Sequence, residues 1–521
     1  MGLAGLAVVA TVTGVVAGWG AARYTSFEPL FWTLLLVVCL ALPPARRRLL
    51  DSRWLFAGLV LLASSWLVAA DHELALRHSL LFLGAAILFG MARLGAPSDR
   101  HVGLLAFGLA LTSTVALSQA FGGLAVARSA VDALPSGWQE AAVTRLASGR
   151  VFGTSALPGH YAALLMLSVP VLAERAWRSR RWSRVGLAVT LGVLATAIVL
   201  TRSLAAVIVG SVMLLPFLVR NLRSRFVLAG VGVLVVVAAA VVASRSDIGR
   251  LEPLRLRWLN WRSAAWVFVQ NPWLGVGVGG VGQAALPGPT GALNITPYTH
   301  NTPLQLLAEF GVAGAVPLAV GIGWLVQLIR RGWSPHKGLT LAVASLPLHN
   351  LVDFSAYAPE VLLPWAVLAG TLAGRVSPIP AKPLRSWALV ALLGTGTVLS
   401  TLGWRSDVAA AAAGVPPCEE STEAAMEAAR WAPWTVTPVE MAAARALVCA
   451  QPAAALKRLD SVLTERAWVQ PRSARWAETR GRLLLAEGRP GEALVWIREA
   501  RRRAPWRGDL AELEAACALH R

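Results

Sequence analysis

Apolar runs of about 16–25 residues recur from Leu3 to about Trp404, each long enough to cross a hydrocarbon layer as a helix. Few folds accept such a pattern. In lipid, every backbone N–H and C=O has to be paired within its own segment. The chain is 56% hydrophobic and only 15% charged. A soluble helical protein would show amphipathic stripes, whereas these runs are apolar all round. The expected fold class is all-α: a polytopic membrane protein followed by a helical C-terminal domain.

The window rule places about 13 spans, at roughly 3–20, 29–44, 54–70, 79–92, 102–122, 158–174, 185–201, 203–219, 226–243, 304–329, 338–356, 359–374 and 386–404. The first run has no Lys or Arg before it. A secretory signal would carry one, so this run is read as a retained span. Alternate connections are arginine-rich, among them Arg46 to Arg48, Arg175 to Arg184, Arg220 to Arg225, and Arg330, Arg331 and Lys337. The opposite short connections hold little beyond Arg23, Arg77 and Arg202. The positive-inside rule puts the first set and the N-terminus in the cytoplasm and the C-terminus outside. The net charge of +20 is thus topological. No aromatic-basic groove for a single strand is visible, and no nucleic-acid partner is expected.

Two outer segments are long, roughly 123–157 and 244–303, and are expected to fold over the membrane domain. After Trp404 the composition becomes Ala-, Arg- and Glu-rich. Domains are therefore expected at 1–404 and 405–521. In the second, the run Gly481 to Ala493 with Ala500 and Pro505 looks like a tetratricopeptide repeat. There Gly488 ends one helix and Pro490 opens the next. Pro433, Pro471 and Pro505 recur near the 34-residue period of that repeat. Such helical pairs stack into a surface for a protein or glycan partner. The plainer alternative is a helical cap on the membrane domain.

Candidate chemistry collects on the outer side. Arg150 lies late in the first long loop. Arg202 sits in Thr201-Arg202-Ser203, a tight break between two apolar runs. Arg257 opens Arg257-Trp258-Leu259-Asn260-Trp261-Arg262, with Arg262 as an alternative on the same segment. This stretch is expected to lie along the membrane surface with its Trp residues at the interface. The following Gly275-x-Gly277-x-Gly279 has no βαβ context for a dinucleotide loop and reads as a flexible turn. His300 is the lone histidine of the second long loop. An ordinary imidazole, with a pKa of about 6.5, suits removal of a hydroxyl proton. Asn301 adjoins it. Glu309 either orients an arginine or anchors the loop. His349 and Asp353, four apart, share a face if their helix continues; the alternative is a local stabilising pair.

These pieces, in the order Thr201-Arg202-Ser203, Arg257-xxx-Trp261, Pro272, Gly275-x-Gly277, His300-Asn301, Glu309-Phe310-Gly311 and His349-Asn350-Leu351-Val352-Asp353-Phe354, are similar to the O-antigen ligase and O-antigen polymerase superfamily over roughly residues 140–375. The resemblance implies a glycosyltransferase C-like membrane architecture in a bacterial inner membrane. It implies transfer of a glycan from undecaprenyl diphosphate, at the periplasmic face and with inversion. The acceptor is lipid A-core for ligases and a growing glycan for polymerases. It also implies that no metal is needed. In line with that, the outer loops lack paired acids such as Asp-x-Asp, and a hard cation wants several oxygen ligands. Arginines instead carry phosphate charge through bidentate bonds.

The reading is thus of Arg150, Arg202 and Arg257 holding a donor diphosphate and His300 deprotonating the acceptor, with Asn301, Glu309, His349, Asp353 and Arg262 in support and no cofactor. A glycan flippase would need polar residues along several spans, and a non-catalytic scaffold would not need these arginines and His300; both classes stay open. Cysteines are too sparse for a zinc site. Cys418 and Cys449 fall at opposed ends of two predicted helices, where a disulfide is allowed and would stabilise by roughly 3–4 kcal/mol. Cys517 is an alternative partner, and two buried thiols are the other alternative.

Overall fold

The computed structural model describes residues 31–37, 52–95, 97–129, 131, 143, 145–203, 205–206, 209–210, 213, 252–290, 296–376, 386–412, 418–449 and 453–519. Every regular element among them is helical. In the membrane domain these are α1 (Ser52–Leu67), α2 (His72–Gly95), α3 (Asp99–Leu111), α4 (Ser113–Ser118), α5 (Leu124–Ser129), α6 (Pro158–Arg178), α7 (Arg181–Leu200), α8 (Glu252–Gln270), α9 (Val281–Ala285), α10 (Thr302–Gly332), α11 (Lys337–His349), α12 (Pro359–Val376) and α13 (Ser386–Ala412).

Four described stretches are long and apolar enough to cross a membrane: His72–Gly95, Asp99–Ser129, Trp182–Leu200 and Thr302–Gly332. The expected spans at 79–92, 102–122, 185–201 and 304–329 fall on them. The expected spans 3–20 and 226–243, and most of 29–44 and 203–219, lie outside the described residues. At the centre stands α6, buried at Pro158 and from His160 to Leu172, with α11, α12, α3 and α7 around it and α2 against α12. A helix with so little polar surface suits such a position.

The helix ends sort into two groups. At one end, Arg375 pairs with the Asp99 carboxylate at 2.6 Å, Arg175 donates to the Asp99 carbonyl at 2.8 Å, and Glu174 accepts from the Gly338 amide at 2.8 Å. Arginine-rich connections read as cytoplasmic meet here. At the other end Ala70 donates to Val276 at 2.8 Å, and Thr302 to Asn350 at 2.9 Å. The turns that carry the candidate site gather there.

Three local expectations change. The segment 338–356 is not one helix: α11 stops at His349, and the chain turns through Asn350 to a 3-10 turn at Ser355–Tyr357. The first outer loop starts later than residue 123, because the helix continues through a kink at Phe121 and Gly122 to Ser129. The third change concerns α10, which is broken at Gly311 (φ 62°, ψ −155°). The glycine run does not swing free but fills this break. Val312 donates to Pro272 at 2.7 Å, Ala313 to Trp273 at 3.1 Å, Val276 to Ala308 at 3.1 Å and Gly277 to Glu309 at 2.9 Å. A Cβ at Gly311 would lie 2.6 Å from the Trp273 carbonyl. Only glycine suits both the positive φ and the close approach.

The tail is a series of six described helices: α14 (Cys418–Trp431), α15 (Thr437–Val448), α16 (Ala453–Glu465), α17 (Ala474–Ala486), α18 (Pro490–Arg503) and α19 (Gly508–Leu519). Gly488, at φ 76°, ends the α17 turn, with Arg489 donating back to Leu484 at 2.9 Å. A Cβ on Gly481 would meet Ile497 at 2.4 Å, so the small residue lets α17 and α18 approach. The tail sits on the end that carries the candidate site. His72 donates to Val469 at 2.8 Å, Gln470 to Asp71 at 3.1 Å and Trp506 to Leu286 at 3.2 Å, while Trp468 packs edge-on against Trp66 and His72.

Cys449 is disulfide-bonded, and Cys517 is a buried free thiol, which removes Cys517 as a partner. The side chain of Cys418 lies outside the described residues. Mass mapping of the unreduced full-length chain is expected to yield a linked Cys418–Cys449 peptide. Complete alkylation of Cys418 without reductant would dismiss that pairing.

Candidate functional site

The site is assembled from four turns. At the end of α7, Thr201 caps itself through its hydroxyl onto Ile198 at 2.6 Å. Arg202 follows with φ 51°. Its Nη1 donates to the Ser148 carbonyl at 3.1 Å, and Arg150 Nε donates back to the Thr201 carbonyl at 2.8 Å. The two arginines thus tie each other's turns together. Arg257 stands on α8. Burial, then the Arg257 charge and less strongly that of Arg202, lowers the pKa of Arg150 from the ordinary arginine value, while Asp353 opposes the shift. An arginine keeps its proton regardless. The hydrogen bonds bring Arg150 and Arg202 to one place, and Arg257 and Asp353 are near enough to act on Arg150 electrostatically. Arg262 is exposed. Five positions along a helix turn a side chain by about 140° from Arg257, so it is not an equivalent choice.

His300 precedes α10 with φ 53°. Asn301 is the helix cap: its side chain accepts from the Leu304 amide at 2.9 Å, and its Nδ2 donates to the Leu351 carbonyl at 2.8 Å. Thr302 adds a hydroxyl bond to Asn350 Oδ1 at 2.8 Å. Trp261 donates to the His300 carbonyl at 3.4 Å. The His300 turn is thereby pinned between α8 and the 350–353 loop.

Asp353 stands in that loop, with its two oxygens facing different histidines. His300 Nδ1 is 3.7 Å from Oδ1, and His349 Nε2 is 3.8 Å from Oδ2. Burial alone would raise the Asp353 pKa; the pull of His300, then of His349 and His160, outweighs it and holds the carboxyl below the usual carboxylate range. The His300 side chain is 31% exposed, whereas His349 and Asp353 are buried. Of this group, His300 is the member a substrate can reach.

Among the described residues, Arg202 and His300 are the two non-glycine residues with positive φ. Such a backbone costs about 1–3 kcal/mol and persists only where the surroundings over-determine it. Both are residues singled out for chemistry in the sequence.

Glu309 resolves to the second of its two readings. Fully buried, it accepts from the Gly279 amide at 2.8 Å, from Gln305 Nε2 at 2.7 Å and from the Tyr357 hydroxyl at 2.5 Å. It anchors the glycine loop rather than an arginine. Sequence reasoning missed His160, Glu360 and the aromatic set Tyr298, Phe354 and Tyr357. Phe354 stacks on Tyr298 at 4.3 Å and meets the His160 and His300 rings edge-on, each at 4.7 Å. The signal was present in Pro158-Gly159-His160: a Cβ on Gly159 would lie 2.7 Å from Asp353 Oδ2. Among the described residues, no group of three or more His, Cys, Asp and Glu side chains is arranged to hold a metal ion.

Arginine side chains thus lie beside a His–Asp pair at one end of the helices. Residues 187–319 match the O-antigen ligase family model. No curated protein and no solved structure matches the chain. The O-antigen ligase stretch contains Arg202, Arg257, His300, Asn301 and Glu309. Arg150, His160, His349, Asp353 and Glu360 lie beyond it and are brought to it by the fold.

Proposed function

We propose that this chain is a membrane glycosyltransferase of the O-antigen ligase or polymerase type. It moves a glycan from undecaprenyl diphosphate to a glycan or lipid A-core acceptor at the periplasmic face of a bacterial inner membrane. The observation that carries this reading is the mutual bracing of the Arg150 and Arg202 turns together with the His300–Asp353 pair, within and beside the O-antigen ligase stretch.

In this mechanism the guanidinium groups hold the donor diphosphate. Each charge-assisted bond is worth about 1.5–3 kcal/mol, and the planar fork offers two per phosphate. The acceptor hydroxyl approaches from the opposite side of the anomeric carbon. His300 takes its proton as the new C–O bond forms and the bond to diphosphate breaks, with inversion. Asp353 beside Nδ1 favours the tautomer that leaves Nε2 as the base, and it offsets the imidazolium charge. The leaving charge is met by arginines without a metal ion. The tail, read as a periplasmic tetratricopeptide-like domain, gives a protein or glycan partner a surface near the site.

Deleting the gene tests the reading. The strain is expected to accumulate a lipid-linked glycan, cleared when the full-length chain is restored. Full-length polymer on undecaprenyl diphosphate would mark a ligase, and single-repeat caps on lipid A-core a polymerase. Unchanged surface polysaccharide and unchanged lipid-linked pools would overturn the assignment.

A further inference from the structure

Two tryptophans on α8 stand beside the His300 turn, and the mechanism above uses the face of neither. Trp261 reaches the turn directly, its indole N–H donating to the His300 carbonyl at 3.4 Å. Trp258 lies three residues earlier, with the two rings edge to face and their centroids 6.5 Å apart. It is 59% exposed. A large aromatic surface left open beside polar and charged groups suits a ligand that is itself part apolar and part polar.

Helix geometry puts Arg257 with them. Counted from Arg257, Trp261 and Trp258 fall at about 40° and about 100° around α8, so the three share one side. Among the described residues, Arg257 has no hydrogen bond or ion pair, while Arg150 and Arg202 are each engaged with a backbone carbonyl. Arg257 is near enough to act electrostatically on Arg150 and on His349. Its fork is therefore open to an anion. The anomeric carbon of a donor has to lie between the group that holds its diphosphate and the base that serves its acceptor. On α8 that interval belongs to Trp261, tied to His300, with Trp258 at its open edge.

A pyranose fits this place. Its hydroxyls ring the edge, and its C–H bonds form an apolar face that lies against the electron-rich face of an indole. Anchoring in the membrane border is the other common use of exposed tryptophan. Anchoring gives no reason for Trp261 to be tied to His300. The chain also has a separate tryptophan for that use, three residues past the other end of α8: Trp273, 76% exposed.

We propose that Trp258 and Trp261 form a sugar subsite, stacking on the pyranose ring that carries the donor's diphosphate, with Arg257 on its phosphate side. This rests on the glycosyltransferase reading above and adds the place where the first sugar of the donor is recognised. Trp258 touches sugar alone and sets donor affinity. Trp261 also braces the turn of the base.

Trp258 is the residue to change, because Trp261 supports His300. Trp258→Leu keeps an apolar side chain for a membrane border and removes the flat face; Trp258→Phe and Trp258→Tyr keep a face. The assay uses the purified full-length chain, with lipid-linked glycan extracted from the deletion strain as donor. The donor KM is expected to rise about three- to tenfold in Trp258→Leu, with kcat close to wild type, and to return most of the way in Trp258→Phe and Trp258→Tyr. Glycan freed from that lipid by mild acid should compete with the donor, and less well in Trp258→Leu. Binding of inorganic diphosphate, which has no sugar, should not change, and Trp273→Leu should leave the donor KM as it is. A wild-type KM in Trp258→Leu would overturn the subsite. So would an equal rise in Trp258→Leu and Trp273→Leu, the mark of anchoring, or a loss of diphosphate binding in Trp258→Leu. If Trp258→Leu fails to accumulate, Trp258→Met is held to the same criteria. Wild-type transfer by His300→Ala would defeat the underlying site reading; an inactive His300→Ala beside a wild-type donor KM in Trp258→Leu would defeat the subsite alone.

Discussion

Replacing His300 by alanine is expected to lower glycan transfer by roughly 10²–10⁴-fold, the usual contribution of a positioned base. Arg202→Ala should lose transfer comparably, and both proteins should still insert at normal levels. His300 is partly exposed and held through its backbone, Asp353 and the edge of Phe354, so its ring can be removed without opening the main core. Alanine keeps the Cβ, so the cost of the positive φ at either residue is left unchanged by the substitution. Arg202→Lys should be a poor substitute: an ammonium loses the planar fork and with it the bond to Ser148 that braces the turn. The measurement is polymer per cell against the amount of membrane-inserted protein. Wild-type polymer in either alanine variant would remove that residue from the mechanism.

Glu309→Ala is expected to act on stability instead. Its carboxyl collects the Gly279 amide, Gln305 and the Tyr357 hydroxyl, all buried. Truncation strands these donors where water does not reach them, a change worth roughly 1–3 kcal/mol for each. The thermal midpoint in detergent should drop sharply, and the amount of folded protein with it. Glu309→Gln keeps an acceptor oxygen and should be much milder. An alanine variant that melts with the wild type would mean that the glycine loop is held by its backbone bonds alone.

The sequence was most legible where one physical rule acts locally. Apolar length marked α2, α7 and α10 because lipid imposes it residue by residue. Arginine-rich connections marked the end where Arg175, Arg375 and Glu174 now meet. Arg150, Arg202, Arg257 and His300 stood out because a charge at the edge of an apolar run needs a reason. What stayed hidden depends on distant partners. Nothing near Glu309 indicates that an amide 30 residues earlier will claim it, so anchor and arginine guide remained equivalent. The glycine run reads as flexible when taken by itself; its rigidity comes from a broken helix some distance along the chain. His160 and Glu360 lie 200 residues apart, each inside an apolar segment. Only the crossing of α6 and α12 turns them into a pair. Arg262, exposed five positions on from Arg257, shows the converse: spacing alone does not say which helix face looks inward.

The splice between the glycine loop and α10 also bears on where this protein tolerates change in length. Four backbone bonds join residues 272–277 to residues 308–313, so the loop acts as a splint across the broken helix, with a fixed number of residues between its ties. One inserted or deleted residue would slide every tie out of step at once. Relatives that differ in the size of the 244–303 segment should therefore vary elsewhere within it. An epitope or fluorophore tag placed in this segment for tracking the protein should likewise avoid residues 272–279.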